Sequence, residues 1–288
     1  MYICRSYLCD TSEVANNLNI SEISLNKYER LITIGCSFTR YRWATWADVL
    51  AEDMPDAEFI NLGKCGAGNS YIQTILSQAK RKLSLTDKDL VGICWSTFYR
   101  EDKFIKGQWR TPGNIFNIGY DTFSEDYYKN HVDIEGMTMR DCAIIDTVTQ
   151  SLKQEKFDSF GLMGVGLNGQ SYYAGLPPEE TFALQTLYND LDTIQPCLWT
   201  YNECQWPVHY TYKSTHDGKD FLDYHPSSPV YRNWLKHIGF PMGEDSKNYA
   251  EFCDDIMKQT TLQEVFEDPQ WPWHEEAGPL EIDQPWNI

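Results

Sequence analysis

A serine and a histidine, far apart along the chain, are the residues whose types and surroundings could do chemistry together. Ser37 follows a short apolar, β-branched run over 30–35 that is typical of a buried strand in a parallel sheet. Such sheets present polar side chains at the carboxyl ends of their strands. His225 comes two residues after Asp223 and just before a Pro-Ser-Ser-Pro turn that leads into an amphipathic helix. An imidazole on such a rigid loop is well placed to act as a general base.

The residues around Ser37 predict the elements that would position it. Strand patterns alternate with helix patterns, and the connections have lengths suited to a parallel sheet wound in the right-handed sense. We predict strands over 30–35, 57–62, 89–95 and 157–165, and helices over 41–51, 71–83 and 138–154. Ser37 would then lie between a strand and a helix, where helix N-terminal amides can stabilise negative charge.

The composition indicates a chain with a large core and a strong negative charge. The 288 residues are 42% hydrophobic, and 42 acidic side chains against 24 basic ones give a formal charge of -18. This charge disfavours binding to nucleic acid and to anionic lipid surfaces. No stretch approaches the roughly 18 apolar residues of a membrane span, and the first residues do not follow the pattern of an export signal. We therefore expect a soluble, cytoplasmic protein that binds neither nucleic acid nor membranes.

The cysteines indicate reduced thiols. Nine of them are scattered along the chain, an odd number that does not suggest a disulfide framework. The cluster that deserves weighing for a metal is Cys197, Cys204, His209 and His216. Its gaps fit no standard zinc-finger spacing, so a structural role is favoured and we expect neither a metal nor an organic cofactor.

Three segments together resemble the sequence blocks of a hydrolase family. The segment 35–39, Gly-Cys-Ser-Phe-Thr, looks like the first block of the SGNH (GDSL-like) hydrolases, with cysteine in place of a common aspartate and phenylalanine in place of leucine. The glycine-rich segment 61–69 is similar to the second block, and 223–226 is similar to the last. The short first block and the His-Pro-Ser last block are similar to the divergent branch common in bacteriophages. The likeness covers about residues 30–100 and 220–240.

The resemblance implies a three-layer α/β/α sandwich with a central parallel sheet, the flavodoxin-like SGNH hydrolase fold, and a Ser-His-Asp mechanism. Ser37 would be the nucleophile, His225 its general base, and Asp223 the group that orients the imidazole. The Asp223-to-His225 interval is one residue shorter than the family's usual Asp-x-x-His, so Asp220 or a backbone carbonyl is an alternative partner for the ring. Cys36 is an alternative nucleophile, but alternation along the strand end would point it into the core.

The oxyanion hole is where the sequence departs from the family. The resemblance implies that the amides of Ser37 and Gly66 face the oxyanion of a tetrahedral intermediate. The family adds an asparagine from a third block, which is absent after the predicted strand over 89–95. Asn69, or a hydroxyl from Ser96 or Thr97, would substitute for it, or the oxyanion hole would be weaker.

The predicted organisation has three parts. A lead-in over 1–29 packs on an SGNH-hydrolase-like α/β domain over 30–260, which carries irregular insertions near 101–135 and 166–215. An acidic, Trp- and Pro-rich C-terminal arm over 261–288 follows. Proline and charge disfavour regular structure in the arm, whereas its tryptophans disfavour a solvated tail. We expect the arm to wrap its own domain, with a subunit or protein partner as the alternative.

These features predict a serine esterase or deacylase that hydrolyses a small acyl ester, such as that of an O-acetylated glycan, through an acyl-enzyme. The alternative is a non-catalytic SGNH-like module in a viral or multi-protein assembly, which the missing third-block asparagine favours. If the chain is viral, its location would be the cytoplasm of the host cell.

Overall fold

The computed structural model of the chain describes residues 20–115, 124–165, 191, 193, 196–202, 210–213, 220–223, 225–260, 264–265 and 273. The strands in this part of the chain are β1 (Arg30–Gly35), β2 (Glu58–Asn61), β3 (Asp89–Trp95), β4 (Lys103–Ile105), β5 (Gln108–Arg110), β6 (Asp158–Met163), β7 (Tyr210–Lys213) and β8 (Asp220–Asp223). The α-helices are α1 (Trp46–Glu52), α2 (Asn69–Lys82), α3 (Glu125–His131), α4 (Ile134–Leu152), α5 (Leu198–Tyr201), α6 (Ser228–His237) and α7 (Glu244–Gln259).

The central element is a parallel sheet whose described strands lie in the order β2-β1-β3-β6. From β1 the chain proceeds to β2 on one side, and then to β3 on the other, so the carboxyl ends of β1 and β3 flank the topological switch point of the sheet. Gly35 of β1 pairs with Cys94 of β3, and the residues after both strands therefore lie side by side. The predicted α/β fold with a central parallel sheet is confirmed, and its strand order is flavodoxin-like.

Helices cover both faces of this sheet. The helix α2 packs with α4, and α1 packs with α6 and α7. Because right-handed crossovers toward opposite edges place helices on opposite faces, these two groups form the outer layers. One hydrophobic core runs from Ile20 and Tyr28 in the lead-in to Ala250 in α7, so the described end of the lead-in packs on the domain.

The helix α1 begins later than the sequence pattern predicts. The predicted helix over 41–51 starts only at Trp46, because Thr45 and Asp48 form a capping box: the Thr45 amide donates to Asp48 Oδ2 at 2.8 Å. The Thr45 hydroxyl also donates to the carbonyl of Thr39 at 2.6 Å. The predicted start at Tyr41 is therefore wrong, and residues 41–44 form an irregular loop.

Regular structure also occurs in the first predicted insertion, over 101–135. The strands β4 and β5 form an antiparallel hairpin, and α3 follows. In the second insertion, over 166–215, the structure describes α5, β7 and a few further residues, and β7 pairs antiparallel with β8. Most of the C-terminal arm and residues 1–19 lie outside the described residues. Of the arm, Val265 is buried and Trp273 packs against the same small cluster as Val265.

None of the six described cysteines forms a disulfide bond, and five of them are buried: Cys36, Cys94, Cys142, Cys197 and Cys253, with Cys65 partly exposed. Cys36 thus lies in the core, as its place after β1 predicts. Cys204, His209 and His216, which the sequence groups with Cys197, lie outside the described residues. Within the described ranges no three potential ligands are grouped around a metal position, and no helix is long and apolar enough to cross a membrane.

Candidate active site

Ser37 lies in the turn after β1, at the switch point of the sheet, where open α/β sheets bind ligands. The amides of Thr39 and Arg40 close this turn by donating to the Cys36 carbonyl at 2.9 and 3.1 Å. Any side chain at Gly35 would overlap the Thr39 hydroxyl, so the turn requires glycine before it. Ser37 is 4% exposed, and among the described residues neither its hydroxyl nor its amide has a hydrogen-bond partner. Both groups are therefore uncommitted.

His225 is held by the carboxylate that precedes it. Its Nδ1 lies 2.8 Å from Asp223 Oδ1, and its backbone amide donates to the same oxygen at 2.9 Å. The two-residue interval from Asp223 to His225 thus forms a tight turn in which Asp223 itself orients the ring. Neither Asp220 nor a backbone carbonyl is needed for that role. With Nδ1 donating to the carboxylate, Nε2 is the basic nitrogen, and it has no hydrogen bond to a described residue.

Asp223 is buried and ionised. It is 3% exposed, and besides the two contacts from His225 its Oδ2 accepts a hydrogen bond from the Tyr41 hydroxyl at 2.7 Å. Burial alone would raise the pKa of Asp223, but the ring and amide of His225 and the Tyr41 hydroxyl offset burial, and the pKa lies below its ordinary value. The carboxylate therefore carries a full negative charge beside the imidazole at neutral pH.

Three aromatic rings from the loop after β1 surround the imidazole. Tyr41 stacks on His225 with 3.7 Å between ring centroids and 18° between planes. Phe38 lies 5.4 Å away at 50°, and Trp43 presents an edge at 6.2 Å and 83°. Phe38 is signalled by its place beside the serine, whereas the helix predicted over 41–51 conceals Tyr41 and Trp43 as neighbours of the imidazole.

Two further long-range hydrogen bonds, besides the one from Tyr41 to Asp223, join the serine loop to the histidine loop. Trp43 Nε1 donates to the Pro226 carbonyl at 2.8 Å, and the Ser228 hydroxyl donates to the Ala44 carbonyl at 2.8 Å. Ser228 is the first residue of α6, whose first turn contains a proline, as the Pro-Ser-Ser-Pro turn predicts. The two segments that carry Ser37 and His225 are thereby fixed against each other.

Gly66 holds a backbone conformation that favours glycine, in the loop between β2 and α2. Its φ of +74° lies in the left-handed region, and a side chain there would overlap the Thr111 carbonyl. Its carbonyl accepts from the Gly113 amide at 3.1 Å, while its own amide has no acceptor among the described residues. The amide of Gly66 is thus available in the loop between β2 and α2.

The side chain of Asn69, in contrast, is committed to the fold. It is fully buried; its Oδ1 accepts from the Ser96 amide at 2.9 Å, and its Nδ2 donates to Asp141 Oδ2 at 3.2 Å and to the Ser96 carbonyl at 3.4 Å. Asn69 would have to break these bonds to reach an oxyanion. Its position therefore fits a residue that fixes the loop after β3.

Of the two hydroxyls after β3, one is committed and one is not. Ser96 uses its only hydroxyl hydrogen to donate to the Ala67 carbonyl at 2.7 Å. Thr97 accepts from Arg100 Nε at 2.8 Å, which leaves its hydroxyl hydrogen without an acceptor among the described residues. Because Gly35 pairs with Cys94, Thr97 follows β3 at the position that matches Phe38 after β1. Of the two hydroxyls, that of Thr97 is therefore the one whose hydrogen is not committed to a described acceptor.

Asp141 was not singled out by the sequence, because its partners are distant along the chain. Its side chain is fully buried in α4, bonded to Asn69 and paired with Arg140, whose Nε lies 2.9 Å from Oδ1. Burial raises the pKa of Asp141 to about 6, and the Arg140 charge limits that rise. Asp141 thereby anchors the Asn69 amide that holds the end of β3.

The chain is similar to several solved hydrolase structures at low sequence identity. One is a member of the lipolytic G-D-S-L family from Veillonella parvula DSM 2008, at 12% identity over 73% of this chain and 94% of that one, with a TM-score of 0.35. A candidate SGNH hydrolase from Slackia heliotrinireducens has 14% identity over 75% and 100% of the two chains and a TM-score of 0.41. A variant of an acetyl-xylooligosaccharide esterase from Geobacillus has 13% identity over 74% and 95%, with a TM-score of 0.38. No protein-family model and no curated protein matches the chain.

Proposed function

We propose that the protein is a serine-dependent ester hydrolase of the SGNH type, with Ser37 as nucleophile, His225 as base and Asp223 as the acid that orients it. The observation that carries the proposal is the 2.8 Å contact between His225 Nδ1 and a buried, ionised Asp223, which leaves Nε2 basic. A buried carboxylate–imidazole pair fixed against a loop with an uncommitted serine is the arrangement that nucleophilic catalysis needs.

In this mechanism Ser37 Oγ attacks the ester carbonyl while His225 Nε2 takes its proton, and the Asp223 carboxylate stabilises the imidazolium. The oxyanion accepts hydrogen bonds from the amides of Ser37 and Gly66 and from the Thr97 hydroxyl. The C–O bond to the alcohol then breaks, and His225 protonates the leaving alcohol. A water molecule, deprotonated by the same nitrogen, then attacks the carbonyl of the acyl-enzyme to form a second tetrahedral intermediate. The bond from carbon to Ser37 Oγ breaks, Oγ takes the proton from His225, and the acid is released.

The substrate class in this proposal is an ester with a short acyl group, such as an O-acetylated glycan. An aromatic ring beside the serine supports a short acyl chain: the Phe38 ring lies 5.4 Å from the His225 ring. We also propose the bacteriophage-type branch, which the sequence blocks resemble, and a cytoplasmic location, which the reduced cysteines and the N-terminal residues favour. The proposal further includes an arm that wraps its own domain, supported by the packing of Val265 and Trp273.

A fluorophosphonate probe with mass-spectrometric mapping tests the nucleophile. The native chain should be labelled at Ser37, and Ser37→Ala should lose both labelling and hydrolysis of 4-nitrophenyl acetate. Ser77→Ala is the matched control, because Ser77 lies exposed on α2 and bonds only its own helix. Unchanged turnover in Ser37→Ala would rule the mechanism out.

A second candidate function is a non-catalytic module of the same fold within a larger assembly. One observation favours it: the hydroxyl of Ser37, at 4% exposure, has no hydrogen bond to His225. Apo enzymes often show such loose geometry before substrate binds, so we rank this function second. A folded native chain that is neither labelled by the probe nor active on short acyl esters would favour the module.

A further inference from the structure

We infer that Tyr41 is a positioning residue for the Asp223–His225 pair, acting on the carboxylate through its hydroxyl and on the imidazole through its ring. The inference rests on the proposed function, and it adds a residue that the sequence blocks do not contain. Tyr41 reaches the pair because α1 begins only at Trp46 and leaves residues 41–44 as a loop.

The hydroxyl of Tyr41 completes the hydrogen bonding of the Asp223 carboxylate. Oδ1 accepts from the ring and the amide of His225, and Oδ2 accepts from Tyr41 at 2.7 Å. A carboxylate bonded at both oxygens cannot rotate about its χ2 angle without losing a donor. Since Asp223 is 3% exposed, water does not readily replace a lost partner. Tyr41 therefore holds Oδ1 in line with His225 Nδ1.

The ring of Tyr41 fixes the plane of the imidazole. A centroid distance of 3.7 Å and an angle of 18° describe a stacked pair, whereas Phe38 and Trp43 contact the imidazole at steep angles. A cation over an aromatic face is stabilised by the ring quadrupole. The stack therefore favours the imidazolium that forms when Ser37 loses its proton.

Tyr41 itself is held from behind. Trp43 packs edge-on against it at 4.6 Å and 89°, and the buried side chains of Met257 and Val265 belong to the same small cluster. This packing leaves Tyr41 9% exposed and fixes its ring without help from His225. A tyrosine at this position thus brings a pre-positioned donor and a pre-positioned aromatic face to the same pair.

Two substitutions separate these contributions. Tyr41→Phe keeps the stack and removes the hydroxyl, so we expect the pKa of Asp223 to rise toward its ordinary value and kcat to fall about tenfold with KM unchanged. Tyr41→Leu removes both, and kcat should fall a further fivefold or so. The pKa of Asp223 is read from the ¹³Cγ resonance of labelled aspartate, assigned with Asp223→Asn. The His225 ring is read from its Nδ1 proton resonance. This resonance should shift in Tyr41→Phe, because the carboxylate that binds Nδ1 is no longer held at Oδ2, and it should broaden further in Tyr41→Leu, because the ring also loses its stacking partner.

Tyr28→Phe is the matched control, because the Tyr28 hydroxyl also donates to an aspartate, Asp158 Oδ2, at 2.8 Å, at a distance from the site. It should leave kcat and the Asp223 titration unchanged. A Tyr41→Phe chain with native kcat and a native Asp223 titration overturns the inference even if Ser37 is labelled. Loss of Ser37 labelling in the native chain overturns the proposed function instead, and the Asp223 titration still decides whether Tyr41 holds the carboxylate.

Discussion

Asp223→Asn changes the charge of the candidate triad while keeping its shape. Oδ1 of Asp223 receives two N–H donors, the ring and the amide of His225, so the NH₂ group of an asparagine cannot occupy that place. The asparagine oxygen must stay toward His225, and its NH₂ group then faces the Tyr41 oxygen, whose hydroxyl can turn away to accept. The variant should therefore keep the histidine tautomer and lose only the carboxylate charge.

The size of the effect follows from that geometry. With Nδ1 and Oδ1 2.8 Å apart, the centres of the two charges are separated by about 4 Å, which at an effective dielectric constant of about 20 corresponds to about 4 kcal/mol. Because the imidazolium forms only in the transition state, losing this interaction energy lowers kcat by about 10³-fold. Asp223→Ala also leaves the His225 amide and the Tyr41 hydroxyl unpaired and frees the ring, so it should cost at least tenfold more.

The assay is hydrolysis of 4-nitrophenyl acetate over a range of concentrations, so that kcat and KM are separated. We expect KM to stay within about threefold, because neither variant touches the acyl group or the oxyanion donors. Asp158→Asn is the control for an aspartate that bonds a tyrosine away from the site. A kcat for Asp223→Asn within a few-fold of native would refute the charge argument, and equal losses in the asparagine and alanine variants would refute the retained orientation.

Two further predictions concern the end of β3. Thr97→Val should lower kcat about 10²-fold with little change in KM, because it removes the proposed hydroxyl donor. Thr97→Ser keeps the hydroxyl and should have a kcat close to that of the native chain. Equal kcat in all three chains would exclude an oxyanion role for Thr97. Burial raises the pKa of Asp141 from 3.8 to about 6, so the folded chain binds the carboxyl proton more tightly than the unfolded chain does. The free energy of unfolding should therefore fall by about 3 kcal/mol as the pH rises from about 4 to 7. Urea unfolding should show that Asp141→Asn lacks this part of the pH dependence, and parallel pH profiles for both chains would contradict it.

The strands and the two ends of the proposed site are readable from the sequence because they depend on local patterns. Apolar, β-branched runs predict β1 and β3, and the Pro-Ser-Ser-Pro turn predicts α6. The glycine at position 66 also gives a local signal, since its φ of +74° is one that other residues disfavour. Residues that specify their own backbone conformation thus carry most of what the sequence predicts.

The parts that were missed depend on partners distant in sequence or on weak patterns. Asn69 is committed because Asp141, 72 positions further along, bonds it. The helix α7 went unpredicted because its buried residues include small or weakly apolar ones, such as Ser246, Ala250 and Cys253. The start of α1 was placed too early because Trp43 continues the apolar spacing of the helix, although the capping box at Thr45 ends it.

The hydrogen bond from Trp43 to Pro226 has a consequence for synthesis of the protein. It joins positions 183 residues apart, so the contact can form only after all the residues between them have been made. At about 5–20 residues per second, a ribosome needs on the order of ten to forty seconds between these two residues. During that interval the serine loop exists without its proposed base, and the aromatic side chains that later surround the imidazole have no ring to contact. A nascent chain is therefore expected to be inert toward esters until α6 docks, so activity in a translating extract should appear only in chains that extend beyond α6.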